Sequence, residues 1–213
     1  GARLLIADID LTRAQAVAQE LAGQGGEAIA CELDVLDSAS CDAAVARTVQ
    51  AFGRIDGLLN ATGIYRVAPA LELRDADWEL TIGINLTGAF RLARAAGREM
   101  VRQNEGRIVT IASVSSKVSN PRYAAYATSK AGIAHLTRVL AVEWARHNVT
   151  VNAIGPPVIP TPLSKPILDD PSTRADALSR IPMGRFGTPE DLIGAAVFLL
   201  SPASAFVTGQ PIY

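Results

Sequence analysis

The sequence predicts an α/β fold in which a parallel sheet carries helices on both faces. Short apolar runs alternate with segments of helical periodicity along the chain, an order typical of parallel strands joined by helical crossovers. Apolar residues make up 49% of the 213 residues and charged residues 19%, which is enough for a sizeable core. No repeat or low-complexity tract interrupts this pattern, so we expect one domain over residues 1–213.

The first half of the chain has a regular β–α order. Residues 3–7 form a short apolar run, and residues 12–22 then show the spacing of a helix. A second apolar run over residues 27–33 precedes residues 38–52, whose apolar side chains fall on one helical face. Residues 55–60 form a third strand-like run, so this half is predicted to contain three strands and two helices.

The second half continues the alternation with longer helices. Residues 75–103 are predicted to form either two helices or one long bent helix. An apolar strand over residues 107–113 follows, and residues 123–147 then have the pattern of a long helix. Residues 150–154 form another strand, and residues 189–200 form a helix after a polar stretch.

Composition and charge exclude several classes of function. The net charge of −1 supplies no basic field for nucleic acid or for an anionic membrane surface, and no apolar run reaches the roughly 18 residues that span a bilayer. Cys31 and Cys41 are too few for a disulfide framework, and we expect two reduced cysteines of a cytoplasmic protein. His135 and His147 have no ligating neighbours at metal-site spacing, so no metal is expected.

Tyr126 and Lys130 are the residue pair with the clearest chemical meaning. Residues four apart share a face of a helix, so this spacing places a phenol beside an ammonium group. A free tyrosine has a pKa of about 10, and a nearby cation favours the phenolate and lowers that pKa. Such a tyrosine can exchange a proton with a carbonyl or alcohol oxygen, and Ser113, at the end of a predicted strand, can polarise the same oxygen.

A series of segments around this pair resembles the short-chain dehydrogenase/reductase family over nearly the whole chain. Ser113 stands 13 residues before Tyr126, which is the family's usual spacing. The other matching segments are Asn60-Ala61-Thr62-Gly63, the helix asparagine Asn85, Asn152-Ala153-Ile154-Gly155-Pro156 and Arg185-Phe186-Gly187-Thr188-Pro189-Glu190-Asp191. The resemblance implies a doubly wound parallel sheet of the Rossmann-like, three-layer α/β/α type. It also implies an NAD(P)-dependent oxidoreductase that transfers a hydride to or from a secondary alcohol or ketone.

The sequence departs from the family at both ends. The family opens with a strand and a Thr-Gly-x-x-x-Gly-x-Gly turn that holds the cofactor pyrophosphate, and no such segment occurs here. Residues 208–213 resemble the start of the family's last strand, without the Asp-Gly-Gly that follows it. We therefore expect this sequence to be part of a longer protein; a naturally truncated and inactive form is the alternative.

The resemblance assigns the adenosine half of a cofactor site. Asp8 ends the first strand, where an acidic residue accepts hydrogen bonds from the adenosine ribose hydroxyls and repels a 2′-phosphate. NAD is therefore expected, and NADP is the less favoured cofactor. The residues implied at the adenine are Asp34 and Val35, and those at its ribose are Asn60, Ala61 and Gly63.

The nicotinamide half is implied after the strand over residues 150–154. Pro156, Ile159 and Thr161 align with residues around the nicotinamide carboxamide. Pro157 stands where the family commonly has glycine, and proline fixes φ at about −65° and removes a donor. The effect of Pro157 on nicotinamide placement is left open by the sequence.

The resemblance also assigns the catalytic roles. Tyr126 is the expected general acid/base, and Lys130 is expected to lower its pKa and to bind the nicotinamide ribose. Ser113 is expected to donate to the substrate oxygen and to stabilise developing negative charge. Asn85 resembles the residue that holds a water and links Lys130 to solvent as a proton relay.

The substrate is the least determined part of the sequence-based hypothesis. The chain most resembles gluconate, glucose and polyol dehydrogenases, which predicts a sugar, sugar acid or polyol as substrate. The first alternative is a 3-oxoacyl-carrier-protein reductase, for which Arg66 and Arg122 are the only candidate docking cations. The second alternative is a catalytically inactive binding protein.

Two further expectations concern the surface. Residues 156–171 contain six prolines and are predicted to form a loop, and residues 156–182 are expected to form a lid over the substrate. The helices over residues 77–103 and 123–147 are expected to build a homo-oligomer, a tetramer, through small residues. Those residues are Ala89, Ala93, Ala95, Ala96 and Gly97.

Overall fold

A computed structural model describes residues 1–213 of the chain as alternating strands and helices. The strands are β1 (Arg3–Asp8), β2 (Glu27–Glu32), β3 (Gly57–Asn60), β4 (Gly106–Ile111), β5 (Val149–Ile154) and β6 (Pro211–Ile212). The α-helices are α1 (Leu11–Gly23), α2 (Ser38–Phe52), α3 (Asp75–Ile82), α4 (Ala89–Gln103), α5 (Ala124–Trp144), α6 (Lys165–Leu168), α7 (Pro171–Ser179) and α8 (Glu190–Leu200). No helix combines the length and the apolar character needed to cross a membrane.

The strands pair in parallel, which confirms the predicted fold class. Strands β3, β4, β5 and β6 form one sheet in that order, and β1 pairs only with β2. No hydrogen bonds join β1 to β3, so the six strands form two separate sheets. One consequence is that Leu59, on the unpaired side of the larger sheet, keeps 48% of its surface exposed.

The core occupies both faces of the larger sheet. Neighbouring residues of a strand point to opposite faces, so Ile108 and Val109 of β4 belong to different clusters. Ile108 packs with residues of α2, α4 and α5 in the largest buried cluster, whereas Val109 packs with Leu199 of α8. The three-layer α/β/α arrangement expected from the sequence is therefore present.

The helical segment over residues 75–103 is continuous rather than divided into two separate helices. Helix α3 passes into α4 through a π-helical turn, Gly83–Gly88. Such turns insert an extra residue into the helical repeat and occur frequently at functional sites. Asn85 lies in this turn and is fully buried.

The predicted loop around residues 156–171 and the polar stretch that follows it contain helices that the sequence interpretation missed. The predicted loop contains the short helix α6, and α7 then begins at Pro171. The start signal for α7 was visible, because Asp170 caps its amino end by accepting a hydrogen bond from the backbone N–H of Thr173, and proline is favoured in a first helical turn. The six prolines of residues 156–171 favour a loop and do not by themselves indicate these helices.

Candidate active site

Ser113 lies at the carboxyl edge of the larger sheet, two residues beyond β4. The backbone beyond β4 stays paired with the β5 side of the sheet, since Val114 N–H donates to the Pro156 carbonyl at 3.1 Å. The Ser113 Oγ accepts a hydrogen bond from the backbone N–H of Ser115 at 3.1 Å, which fixes its rotamer. Ser113 is therefore held on a rigid part of the sheet with its hydroxyl hydrogen available to another acceptor.

Tyr126 and Lys130 lie on the face of α5 that packs against this edge. The two side chains are 9% and 4% exposed, and Lys130 Nζ lies 5.8 Å from the centroid of the Tyr126 ring. Lys130 Nζ donates to the carbonyl of Ile111, the last residue of β4, at 2.8 Å. This bond anchors the ammonium group beside Ser113, and two of its three hydrogens remain available for a ligand.

The pKa of Tyr126 differs from the sequence-based expectation. Burial raises the pKa of Tyr126, and its hydrogen bond with Ser113 lowers the pKa by less than burial raises it. Burial also lowers the pKa of Lys130 to about 8. In this structure desolvation outweighs the hydrogen bond with Ser113, and Lys130 is not among the causes of the shift. The expected lowering of the Tyr126 pKa by Lys130 is therefore wrong for the protein alone.

Asn85 connects the turn after β3 to helix α5. Its Oδ1 accepts from the Ile64 backbone N–H at 2.8 Å, and its Nδ2 donates to the Ile64 carbonyl at 3.0 Å. The second Nδ2 hydrogen bonds Ser129 Oγ at 3.0 Å, and that hydroxyl donates to the Tyr126 carbonyl at 2.7 Å. Both amide hydrogens of Asn85 are thus used in hydrogen bonds that hold the loop after β3 against α5. The role of Asn85 in a proton relay stays a prediction.

The turn after β3 brings Gly63 close to the catalytic residues. Asn60 Oδ1 accepts hydrogen bonds from both the backbone N–H and the hydroxyl of Thr62, which closes the turn. A Cβ atom on Gly63 would lie 3.4 Å from Asn85 Oδ1 and 3.5 Å from Lys130 Nζ. The absence of a side chain at Gly63 therefore leaves space open beside the free ammonium hydrogens of Lys130. Thr62 differs from the residue usual in the family, and its hydroxyl is accommodated by the hydrogen bond to Asn60.

Asp8, Asp34 and Val35 lie where the sequence placed them, at the carboxyl ends of β1 and β2. Asp8 Oδ1 accepts from the backbone N–H of Asp10 at 3.0 Å, and Asp8 Oδ2 lies 3.9 Å from the exposed Arg13 guanidinium. Asp34 Oδ1 is held by a backbone N–H of the following loop at 2.8 Å. Val35 is buried in the core. Ala61 is exposed in the turn after β3.

The segment after β5 has an ordinary backbone at Pro157. The only non-glycine residues with positive φ lie elsewhere in the chain, so proline is accommodated there without strain. Ile159 and Thr161 are fixed by Ser164, whose hydroxyl donates to the Ile159 carbonyl at 2.7 Å and accepts from Thr161 N–H at 3.0 Å. This segment thus has a defined path above the carboxyl ends of β4 and β5.

Sequence reasoning missed two residues that contact the catalytic set. Ser129 links Asn85 to α5, and its position one residue before Lys130, on the buried face of the helix, was a usable signal. Tyr65 packs its ring 5.0 Å from the ring of Tyr126. Nothing in the sequence pattern marks Tyr65, because the contact depends on how the loop after β3 folds.

The donor set fits both ends of a nicotinamide dinucleotide. Lys130 offers free ammonium hydrogens beside the open space at Gly63, which suits ribose hydroxyls, and the Asp8 carboxylate suits a second ribose at the other end. The pyrophosphate between them would need a glycine-rich turn, and residues 1–213 contain none. Asp8 and Lys130 would therefore hold a nicotinamide dinucleotide at its two ribose ends.

Comparisons with known proteins agree with this geometry. A family model described as enoyl-(acyl carrier protein) reductase matches residues 1–213. D-threitol dehydrogenase of Mycolicibacterium smegmatis is 41% identical over 213 residues, which are 100% of this chain and 81% of that protein. The 3-oxoacyl-(acyl-carrier-protein) reductase FabG of Thermotoga maritima is 37% identical over 212 residues, which are 100% of this chain and 85% of that protein.

A solved structure gives the same result for the three-dimensional fold. The gluconate 5-dehydrogenase from Burkholderia cenocepacia, in complex with NADP and tartrate, matches with a TM-score of 0.96 at 34% identity. The match covers 100% of this chain and 83% of that one. The chain belongs to the short-chain dehydrogenase/reductase family, whose members oxidise or reduce CH–OH and carbonyl groups with a nicotinamide dinucleotide.

Proposed function

We propose that the protein interconverts a secondary hydroxyl group and a ketone of a sugar, sugar acid or polyol, with NAD as the preferred cofactor. The observation that carries this proposal is the meeting of Ser113, Tyr126 and Lys130 at one edge of the sheet. This arrangement offers one hydroxyl donor and one phenol to a single position for a substrate oxygen, with the ammonium group of Lys130 on the same helix face as the phenol.

The proposed roles follow from the protonation states. Because burial raises its pKa, Tyr126 carries its proton at neutral pH and can give it to the oxygen of a ketone being reduced. In the opposite direction the Tyr126 phenolate takes the hydroxyl proton of the alcohol, while Ser113 donates to the same substrate oxygen and stabilises charge on it. The bound cofactor supplies the hydride acceptor or donor. Lys130 binds the ribose and favours the phenolate once it forms.

The substrate class rests on the relatives. D-threitol dehydrogenase and gluconate 5-dehydrogenase act, by name, on a polyol and on a sugar acid, and both match the whole chain. FabG is, by name, a 3-oxoacyl-(acyl-carrier-protein) reductase and is also 37% identical, so that activity is the second candidate. Arg66 and Arg122 are both exposed near the site, and they are the cations such a carrier would use.

The proposed function can be tested by the absorbance of reduced nicotinamide. The protein should be assayed with NAD and NADP against polyols, sugar acids, simple secondary alcohols and a 3-oxoacyl thioester. Turnover with a polyol, sugar or sugar acid supports the proposal. Turnover confined to the thioester would replace it by the second candidate, and cofactor binding without any turnover would favour an inactive binding protein.

Asp8 is the basis of the proposed preference for NAD. Its carboxylate would face the 2′-phosphate of NADP, and such a like-charge contact costs several kcal/mol when it is poorly solvated. We expect kcat/KM for NAD to exceed that for NADP by roughly 10- to 100-fold. Asp8→Ser should reverse or abolish this ratio.

Arg13 supplies the matched control for that experiment. Its guanidinium lies 3.9 Å from Asp8, so it offers a cation that could offset the repulsion of a 2′-phosphate. Arg13→Gln should therefore lower activity with NADP and leave activity with NAD within about twofold. A wild-type protein that prefers NADP would show that Arg13, rather than Asp8, dominates this end of the site.

The proposed lid comprises residues 156–182. It starts at the carboxyl end of β5, where ligands of open α/β sheets bind, and α7 within it contributes no residue to the buried core. Arg180 joins this segment to the body of the protein through Asn120, a residue of the loop between β4 and α5. A segment held by few polar contacts is suited to opening and closing over a substrate.

The proposed oligomer needs a different surface from the one that the sequence suggested. The small residues of α4 are buried within the chain, and a Cβ on Gly97 would lie 2.7 Å from the Trp144 ring of α5. The apolar residues that α4 and α5 expose are Phe90, Val139 and Val142, the last 82% exposed. We propose that these side chains contact a second copy in a homotetramer.

Light scattering tests this oligomer directly. We expect a tetrameric mass at micromolar concentration, and we expect Val142→Glu to shift the protein to smaller species because it would bury a charge at the contact. Val17→Glu, an equally apolar exposed site on α1, is the matched control and should leave the mass unchanged. A monomeric wild-type protein would contradict the proposal.

We also propose a cytoplasmic location. Cys31 and Cys41 are free thiols, and Cys41 is fully buried in the core. Unpaired buried thiols are typical of reducing compartments. Labelling of unfolded protein from cells with a thiol reagent should find both cysteines reduced.

A further inference from the structure

Three of the four tyrosines, Tyr65, Tyr123 and Tyr126, form one aromatic cluster. The ring centroids lie 5.0 Å apart for Tyr65 and Tyr126, 5.5 Å for Tyr65 and Tyr123, and 6.1 Å for Tyr123 and Tyr126. All three pairs meet edge to face, an arrangement that aromatic rings prefer. Two phenol side chains thus flank the phenol that exchanges the proton.

The two flanking tyrosines are mounted on loops that are joined to each other. Ala68 N–H, three residues after Tyr65, donates to the carbonyl of Arg122 at 3.0 Å. Arg122 directly precedes Tyr123, which is the residue before α5. The buried side-chain amide of Asn85, between α3 and α4, bonds both the backbone N–H and the carbonyl of Ile64, the residue directly before Tyr65. Both rings therefore hold a fixed position relative to Tyr126.

The flanking phenols are less buried than the catalytic one. Tyr65 and Tyr123 are each half-buried, whereas the catalytic phenol is almost completely buried. Burial raises the pKa of Tyr65, and its hydrogen bond with Tyr123 raises it further. A neutral phenol both donates and accepts, which matches an alcohol group of a substrate better than it matches a phosphate or a carboxylate.

We propose that the Tyr65 and Tyr123 hydroxyls bind a substrate hydroxyl on the carbon next to the reacting carbon. They then select polyhydroxylated substrates over simple secondary alcohols. This assignment rests on the proposed function, because it takes the position between Ser113 and Tyr126 as the place of the reacting oxygen. It assigns to Tyr65 a role in substrate specificity that its ring packing alone does not require.

The test compares two substrates of equal chain length with NAD. Threitol carries hydroxyls next to its secondary hydroxyls, whereas 2-butanol carries one secondary hydroxyl alone. We expect Tyr65→Phe and Tyr123→Phe each to lower kcat/KM on threitol by about 3- to 10-fold, the worth of one neutral hydrogen bond. We expect kcat/KM on 2-butanol to change by less than about twofold. The double variant should lose less than the product of the single losses, because both hydroxyls serve one substrate group.

Several controls separate recognition from a structural role. Phenylalanine keeps the ring contacts and removes only the hydroxyl. A loss of kcat/KM caused by disturbed packing would be equal on threitol and on 2-butanol, and such a result would overturn the assignment. Tyr213→Phe removes a phenol hydroxyl outside the cluster, one that is bonded to Ser116. It should leave the ratio of kcat/KM on threitol to kcat/KM on 2-butanol unchanged. Thermal unfolding of each variant should match that of the wild type.

The outcomes also distinguish this assignment from the proposed function. Wild-type activity on threitol with unaffected phenylalanine variants would overturn the assignment alone. A wild-type protein that turns over no polyol, sugar or sugar acid would overturn the proposed function and this assignment together. A loss specific to threitol in both variants would support both.

Discussion

Tyr126→Phe is expected to lower kcat by about 10²- to 10⁴-fold on any substrate that the wild-type protein turns over. The change removes one hydroxyl group and keeps the ring, which packs edge to face with Tyr65 and Tyr123. Without the phenol no group in the site exchanges a proton with the substrate oxygen. Steady-state assays at saturating cofactor measure the effect.

Cofactor binding provides the control for this variant. The residues implied for the two ribose ends of the cofactor include Asp8 and Lys130, which the substitution leaves in place, so the Kd for NADH measured by fluorescence should stay within about threefold of the wild type. A parallel loss of binding would mean that the variant disturbs α5. Wild-type turnover by Tyr126→Phe would remove Tyr126 from the mechanism.

The pH dependence of the two reaction directions should differ for a related reason. Burial raises the pKa of Tyr126, so the phenol is protonated at neutral pH and is ready to act as an acid. Alcohol oxidation needs the phenolate and should speed up as pH rises, whereas ketone reduction should be flat at neutral pH and fall at alkaline pH. An oxidation rate that is independent of pH between 6 and 9, with chemistry limiting, would contradict this reading.

The strands and the catalytic set were predictable because local signals and global fold agree. Short runs of mostly apolar residues, typical of buried strands, predict β4 and β5. The four-residue spacing of Tyr126 and Lys130 places both on one face of a helix. Ser113 follows β4 by two residues, so the parallel sheet brings it to the same edge. Each of these placements needs only periodicity and the rule that carboxyl ends of parallel strands share an edge.

Other features depend on tertiary contacts that no local pattern encodes. Asn85 lies in a π-helical turn, and its amide bonds Ile64, a residue 21 positions earlier. Tyr65 reaches Tyr126 through a loop whose path is fixed by the same hydrogen bonds. The pKa of Tyr126 was mispredicted for the same kind of reason, since the extent of burial cannot be read from the spacing of a tyrosine and a lysine.

Lys130→Met is expected to make the protein more stable at neutral pH while it removes activity. Lys130 is 4% exposed, and no carboxylate forms an ion pair with it. Burial lowers its pKa from 10.5 to about 8, which corresponds to a cost of about 3 kcal/mol for holding the charge in the folded protein. Methionine has a similar shape and carries no charge.

The hydrogen bond to the backbone sets the size of the net gain. Lys130 Nζ donates to the Ile111 carbonyl, and a buried acceptor left without a partner costs about 1–3 kcal/mol. We therefore expect Lys130→Met to raise the free energy of unfolding by up to about 2 kcal/mol at pH 7. The same change removes the ribose ligand and the cation beside the phenol, and should lower kcat/KM by about 100-fold or more.

The pH dependence of this stability difference identifies its cause. Below pH 8 the folded and unfolded chains both bind the proton on Lys130, so the cost of the buried charge is fully present. Between about pH 8 and 10.5 the unfolded chain binds more protons than the folded one, so the wild type gains stability relative to Lys130→Met as pH rises. Urea unfolding of both proteins at pH 7 and pH 10, without cofactor, should show the advantage of the variant shrinking or reversing. A variant that is less stable than the wild type at pH 7 would mean that the contact with Ile111 outweighs desolvation, and that the site stabilises its lysine rather than holding it under strain for catalysis.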